Sequence, residues 1–142
     1  MEIKFFAVMD EIPRTTHQEK GCRIVRGRPM FYEKAEVKEI RRFYSDIFKM
    51  HRPPRSLEKA VAVKVCFYYP VKKPHKNGEV KATRPDLDNM VKLLFDVATS
   101  CGFWGDDGQI GLLQVTKSYG EPSGIYFEAY EMNKDGTRRA DE

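Results

Sequence analysis

The chain has 142 residues, 41% of them hydrophobic and 32% charged, with a net charge of +4 and a pI near 8.9. That size supports one domain with a modest core, and the mildly basic balance permits a polyanionic partner without demanding one. No run approaches the ~20 apolar residues of a membrane span, and Met1-Glu2-Ile3-Lys4-Phe5 is too short and too acidic to open a signal peptide. Cys22, Cys66 and Cys101 are scattered and form no CxxC, while His17, His51 and His75 show no pairing suited to zinc. Such usage points to reduced thiols in a soluble cytoplasmic protein.

Ile3, Phe5, Ala7 and Met9 alternate with their neighbours and predict a first strand, ended by Ile12-Pro13. Residues 14–30 are polar and basic, with turns at Gly21 and Gly27. Arg26-Gly27-Arg28 reads as the tip of a short hairpin, and Arg14, Arg23, Arg26 and Arg28 are candidates for phosphate contacts. Val37, Ile40, Tyr44, Ile47 and Phe48 form one apolar stripe and predict a helix over 32–50, stopped by Pro53-Pro54. The alternation of Val61, Val63, Val65 and Phe67 predicts a strand over 58–69. Residues 71–83 follow as a basic loop with Lys72, Lys73, His75, Lys76 and Lys81.

A second helix is expected from Leu87 or Asn89 to Ser100, its buried stripe running from Leu87 through Leu94 to Cys101 and its end marked by Gly102. Phe103 and Trp104 suit the core. Gly105-Asp106-Asp107-Gly108 makes a tight turn before a strand over 109–118, with a bulge expected near Gly111. A last strand covers 124–132, and 133–142 reads as a loose polar tail. The result is a single α+β domain over 1–132: a mixed sheet of four or more strands with two α-helices packed against it, in the order β-α-β-α-β-β.

Asp86, Asp88, Asp106 and Asp107 crowd a chain that is otherwise basic. Carboxylates resist crowding unless a cation sits between them. Inside a helix Asp86 and Asp88 would point about 200° apart, but in a segment entering a helix residues i and i+2 share a face. Pro85 biases Arg84 toward an extended backbone, so both carboxylates are expected at the helix entrance. Each acid also has an ordinary explanation. Asp86 as N-cap and Asp88 as first-turn acid are together worth ~1 kcal/mol, and Asp106-Asp107 suits any turn. Lys92, one turn past Asp88, suits an i,i+4 ion pair of ~0.3–0.5 kcal/mol. If the strands flanking the second helix pair, all four acids are expected to reach one end of the sheet. Offsets exclude an EF-hand, and no P-loop is present.

Arg84-Pro85-Asp86-Leu87-Asp88-Asn89, Lys92, Phe95-Asp96, Gly102-Phe103-Trp104, Asp106-Asp107 and Gln109 together resemble the RusA family of Holliday junction resolvases, common in prophages. The matching block runs over residues 84–117. The resemblance implies a Mg²⁺-dependent endodeoxyribonuclease, with Mn²⁺ as a possible substitute and no small-molecule cofactor, acting as a homodimer on four-way DNA junctions in recombination and repair. By position it implies Asp86, Asp88 and Asp107 as essential metal-binding carboxylates, Asp106 as a supporting acid and Lys92 as the catalytic lysine. Lys117 matches a lysine expected to hold a phosphate, and Asp96 is expected to be structural. Lys72, Lys73, Lys76, Lys81 and Arg84 join the N-terminal arginines as expected DNA contacts. The alternative is a branched-DNA-binding module that does not cleave.

Overall fold

Val61, Val63, Val65 and Phe67 are almost wholly buried because their strand lies inside a sheet with neighbours on both sides. The computed structural model describes residues 1–14, 20–33 and 35–140. In chain order its elements are β1 (Glu2–Val8), β2 (Lys20–Val25), β3 (Arg28–Glu33), α1 (Ala35–Met50), β4 (Ala60–Tyr69), α2 (Leu87–Ser100), a 3-10 turn (Asp107–Gln109), β5 (Ile110–Tyr119) and β6 (Gly124–Met132). Four strands form a sheet in the order β1-β6-β4-β5, and β2 with β3 forms a separate hairpin. The β4–β5 pair is parallel, and the other two pairs are antiparallel. This is the mixed α+β architecture that the sequence pattern predicts.

The register places Phe5 opposite Phe127 and Phe127 opposite Val65, so their side chains share one face. Val37, Tyr44 and Phe48 of α1 and the stripe of α2 belong to the core built there. Phe127 is its hub, with ring centroids 5.0 Å from Phe48, 5.3 Å from Phe5 and 5.8 Å from Phe103. Phe103 and Trp104 are buried, as expected. Helix α2 stops in a Schellman arrangement: Gly102 takes φ +81°, its N–H donates to Thr99 O, and the Phe103 N–H donates to Ala98 O.

The strands begin and end close to where alternation starts and stops, and Gly111 is the extra residue of a register shift opposite Val61 and Ala62. Three features differ from expectation. Residues 32 and 33 close β3 and do not open a helix, because the tight turn at Arg26 and Gly27, both at positive φ, zips the hairpin out to Lys20 and Glu33. Gly21 therefore sits within β2. Residues 133–139 turn back onto β6, with Asn133 N–H donating to Thr137 O and Arg139 N–H to Glu131 O. The helices are short, and among the described residues none is long and apolar enough to cross a membrane.

Candidate active site

Asp86 occupies the N-cap position of α2 with an extended backbone (φ −72°, ψ 131°), as a residue following Pro85 and entering a helix should. Its side chain makes no capping hydrogen bond. A capping Asp ordinarily gains ~1 kcal/mol from an N2 or N3 amide, and this one forgoes it. Asp88 lies in the first turn, and both acids are exposed. Neither has a hydrogen-bond or ion-pair partner among the described residues. The half-buried Leu87 between them packs on the core and anchors the entrance. Two bare carboxylates therefore sit at the positive end of the helix dipole. Lys92 is exposed one turn on and makes no ion pair with Asp88, so the ordinary i,i+4 explanation does not describe it.

Cations surround this entrance. Lys117 on β5 reaches the bend before Asp86, its Nζ donating to Pro85 O at 2.6 Å and to Thr83 O. Lys81 Nζ donates to Thr83 Oγ1 at 2.6 Å and lies 4.9 Å and 5.5 Å from the ring centres of Tyr69 and Tyr119. Desolvation, followed by the charge of Lys81, pushes the Lys117 ammonium below its usual pKa, and Asp86 pulls it back up. A cleft of about 700 Å³ opens beside Asp86, lined by Arg14, Lys72, Lys81, Arg84, Tyr69 and Tyr119 and also by the acids Asp10 and Glu11, the latter 3.7 Å from Arg14.

The basic loop 71–83 is docked against β5. Gly78 N–H donates to Tyr119 O at 2.7 Å, Tyr119 N–H to Glu79 O and Lys81 N–H to Lys117 O, both at 2.9 Å, and His75 stacks on Tyr119. Lys72, Lys73 and Lys76 remain exposed on it. Arg23, Arg26 and Arg28 are exposed on the β2–β3 hairpin, which has no ladder to the main sheet. Part of the basic segment expected over 14–30, residues 15–19, lies outside the described residues.

Asp107 is held differently. Thr99 Oγ1 and Trp104 Nε1 (3.1 Å) both donate to its Oδ1, leaving Oδ2 without a partner among the described residues. Asp106 caps the 3-10 turn, its Oδ2 accepting from Gly108 N–H at 3.0 Å while Gln109 Oε1 accepts the amides of Gly105 and Asp106. Gln109 Nε2 in turn ties this turn to the carbonyls of Leu57 and Lys59. One oxygen of Asp106 is thus committed to the turn. Asp96 pairs with Arg41 across the two helices at 4.0 Å.

The four acids do not meet within one chain. Thr99, which grips Asp107, lies three helical turns beyond Asp88, about 16 Å along α2. Because β4 and β5 are parallel, α2 returns antiparallel between them. Asp86 and Asp88 lie at the carboxyl ends of both strands, and Asp107 lies at the amino end of β5. Among the described residues, no three His, Cys, Asp or Glu side chains are grouped to hold a metal ion. The expectation that all the acids reach one end of the sheet is corrected for the single chain. Thr83 and Thr99 carried no signal that sequence reasoning used.

Bare carboxylates at a helix entrance, flanked by cations and an aromatic cleft, are equipment for chemistry on a polyanion. The sequence model described as Endodeoxyribonuclease RusA matches residues 11–128. The crossover junction endodeoxyribonuclease rusA of Lactococcus phage r1t is 33% identical over 134 residues, covering 93% of this chain and 100% of its own length. The chain belongs to the RusA family and is an endodeoxyribonuclease.

Proposed function

We propose that this enzyme resolves four-way DNA junctions by Mg²⁺-dependent paired hydrolysis, as a homodimer whose metal centre takes residues from both copies. The observation that carries the reading is the pair of bare carboxylates, Asp86 and Asp88, beside a cleft to which Lys72, Lys81 and Arg84 contribute. Their hard oxygens suit Mg²⁺, which is commonly held by one or two carboxylates together with waters and substrate phosphate. When bound, the ion supplies a more acidic water and neutralises charge on the phosphoryl oxygen.

A two-fold dimer accounts for the stranded Asp107. Strand β5 is an edge strand. The loop 78–81 covers only its last residues, and Leu112 and Leu113 are 49% and 44% exposed on the open part. Such an edge invites a partner strand. Antiparallel pairing of β5 with its copy about Leu113 satisfies the open backbone edge and gives these leucines cross-strand neighbours. It also carries the Asp107 turn of one copy toward the α2 entrance of the other, where Oδ2 can join Asp86 and Asp88. The dimer then has two centres related by the two-fold axis, matching the approximate symmetry of a junction.

In this reading Arg14, Lys72, Lys81 and Arg84 take up phosphates around the cleft, so binding weakens steeply with salt. Lys92 offers its ammonium to the charge that develops on the reacting phosphate. Replacing Lys92 by Met is expected to slow cleavage roughly 10²–10³-fold while changing junction affinity in Ca²⁺ far less. Single-turnover rates beside binding titrations check this. The reading as a whole is tested with a labelled four-way junction and a matched linear duplex. Paired nicks near the branch point are expected in Mg²⁺, absent with chelator and absent from Asp88→Asn. Tight junction binding with no cutting in Mg²⁺ or Mn²⁺ would overturn it in favour of a binding module.

A further inference from the structure

Family position assigns Lys117 a phosphate, but its geometry points elsewhere. A lysine ammonium has three donors and no acceptor. Two of these are committed to main-chain carbonyls, those of Thr83 and Pro85. Both carbonyls belong to the bend that delivers Asp86 into α2, and Lys117 joins that bend only through the fold. Lys81 reinforces the same bend from the other side, its amide donating to the Lys117 carbonyl at 2.9 Å and its Nζ to Thr83 Oγ1. Had these cations tied the loop down through ion pairs to Asp86 or Asp88, they would have consumed the oxygens a metal needs. Carbonyls serve as the anchor, and both carboxylates stay bare.

We propose that Lys117 is a positioning residue for the acidic centre: it fastens the bend at residues 83–85 to β5 and thereby fixes where Asp86 and Asp88 present their free oxygens. The assignment rests on the metal-nuclease reading above and adds a role that touches neither the phosphate nor the metal. Groups that orient ligands without binding the metal typically alter metal affinity 10–100-fold when removed.

The sign of the effect separates this from simple electrostatics. Lys117 is a cation near a cation site, so removing its charge alone should tighten Mn²⁺ binding. Removing a positioning residue should loosen it. The experiment measures Mn²⁺ affinity of the DNA-free protein by calorimetry or electron paramagnetic resonance for wild type, Lys117→Met and Lys117→Gln. The same proteins, with Lys72→Met as a reference for an ordinary phosphate contact, are titrated with a four-way junction in Ca²⁺ over a series of salt concentrations. Circular dichroism confirms that each variant is folded.

The expected result is Mn²⁺ affinity lowered roughly 10- to 100-fold in both Lys117 variants, with the salt slope of junction binding unchanged. Lys72→Met is expected to do the reverse, lowering the slope by about one and leaving Mn²⁺ affinity intact. A Lys117 variant that behaves like Lys72→Met, or that binds Mn²⁺ as well as or better than wild type, would overturn the proposal. Wild-type protein that binds no Mn²⁺ would overturn it too, but together with the nuclease reading, which keeps the two failures distinguishable.

Discussion

Mixing two inactive variants, Asp88→Asn and Asp107→Asn, is expected to restore junction cleavage. Each substitution alone should lower the rate roughly 10²–10³-fold or more, because each removes a carboxylate from both centres of its homodimer. The geometry dictates what mixing does. If a centre takes Asp86 and Asp88 from one copy and Asp107 from the other, a mixed dimer collects both substitutions in one centre and leaves the second intact. Random exchange of subunits then returns about a quarter of the wild-type centres, and a mixed dimer nicks one strand of a junction where the wild type nicks two. If each chain used its own three acids, every centre in the mixed dimer would carry one defect and mixing would recover nothing. Mn²⁺ binding reports the same logic without turnover, with affinity regained only in the mixture. Leu113→Glu adds an independent arm. It leaves every acid in place yet puts a charge on the open β5 edge, so it should yield a monomer that neither cuts nor binds Mn²⁺ tightly.

The separation of Asp88 from Asp107 within one chain follows from the direction of the strands. A strand, a helix and a second strand parallel to the first form a crossover, and any such unit sends the start of its second strand to the far end of the sheet. Asp86 and Asp88 could be placed from local chemistry, because Pro85 and the start of the apolar stripe fix the helix entrance. Asp107 could not be placed without knowing that β4 and β5 run parallel. Its distance from Asp88 is a property of strand direction, which neither alternation nor spacing encodes. The lack of a capping bond at Asp86 was equally invisible, because an Asp before a helix reads as a cap in any sequence.

Elsewhere, legibility tracked how local the cause was. The limits of β6, the stop at Gly102 and the bulge at Gly111 arise from alternation or from a glycine's backbone, and each was read in advance. The boundary between β3 and α1 was missed because pairing with β2 claimed residues that also suit the start of a helix. The turn after β6 was missed because polar contacts hold it: Asp135 Oδ1 accepts from the Thr137 amide, and Arg138 pairs with Glu2. The role of Glu131 was missed for a related reason. On a strand of alternating pattern it occupies a core-facing position where a hydrophobic residue belongs, and its partners come from three remote segments.

Those partners make Glu131 the second large expected effect, this time on stability. The side chain is 1% exposed. Arg55 holds it through two bonds of 3.0 Å and 3.1 Å, the Glu58 amide donates at 2.8 Å and the Met1 amine at 3.2 Å, with Arg139 further out at 3.8 Å. The Arg55 hydrogen bonds, outweighing burial and aided by the Glu58 amide, hold the carboxyl down to about 2 from an ordinary 4.5. A carboxylate whose pKa is depressed on folding stabilises the fold above its unfolded value. That contribution fades as pH falls from 4.5 toward 2, and by linkage it is about 3 kcal/mol. Glu131→Gln should therefore cost about that much near neutral pH. The gap between the two proteins should narrow as the pH is lowered through 4.5, because the wild type loses its advantage while the amide does not titrate. Urea unfolding of both proteins at neutral pH and near pH 3 measures it. A gap that stays constant across that range would mean that the ion cluster does not stabilise the fold through its charge. Because the cluster joins the Met1 end, the segment before β4 and the turn after β6, its loss should loosen all three where they meet.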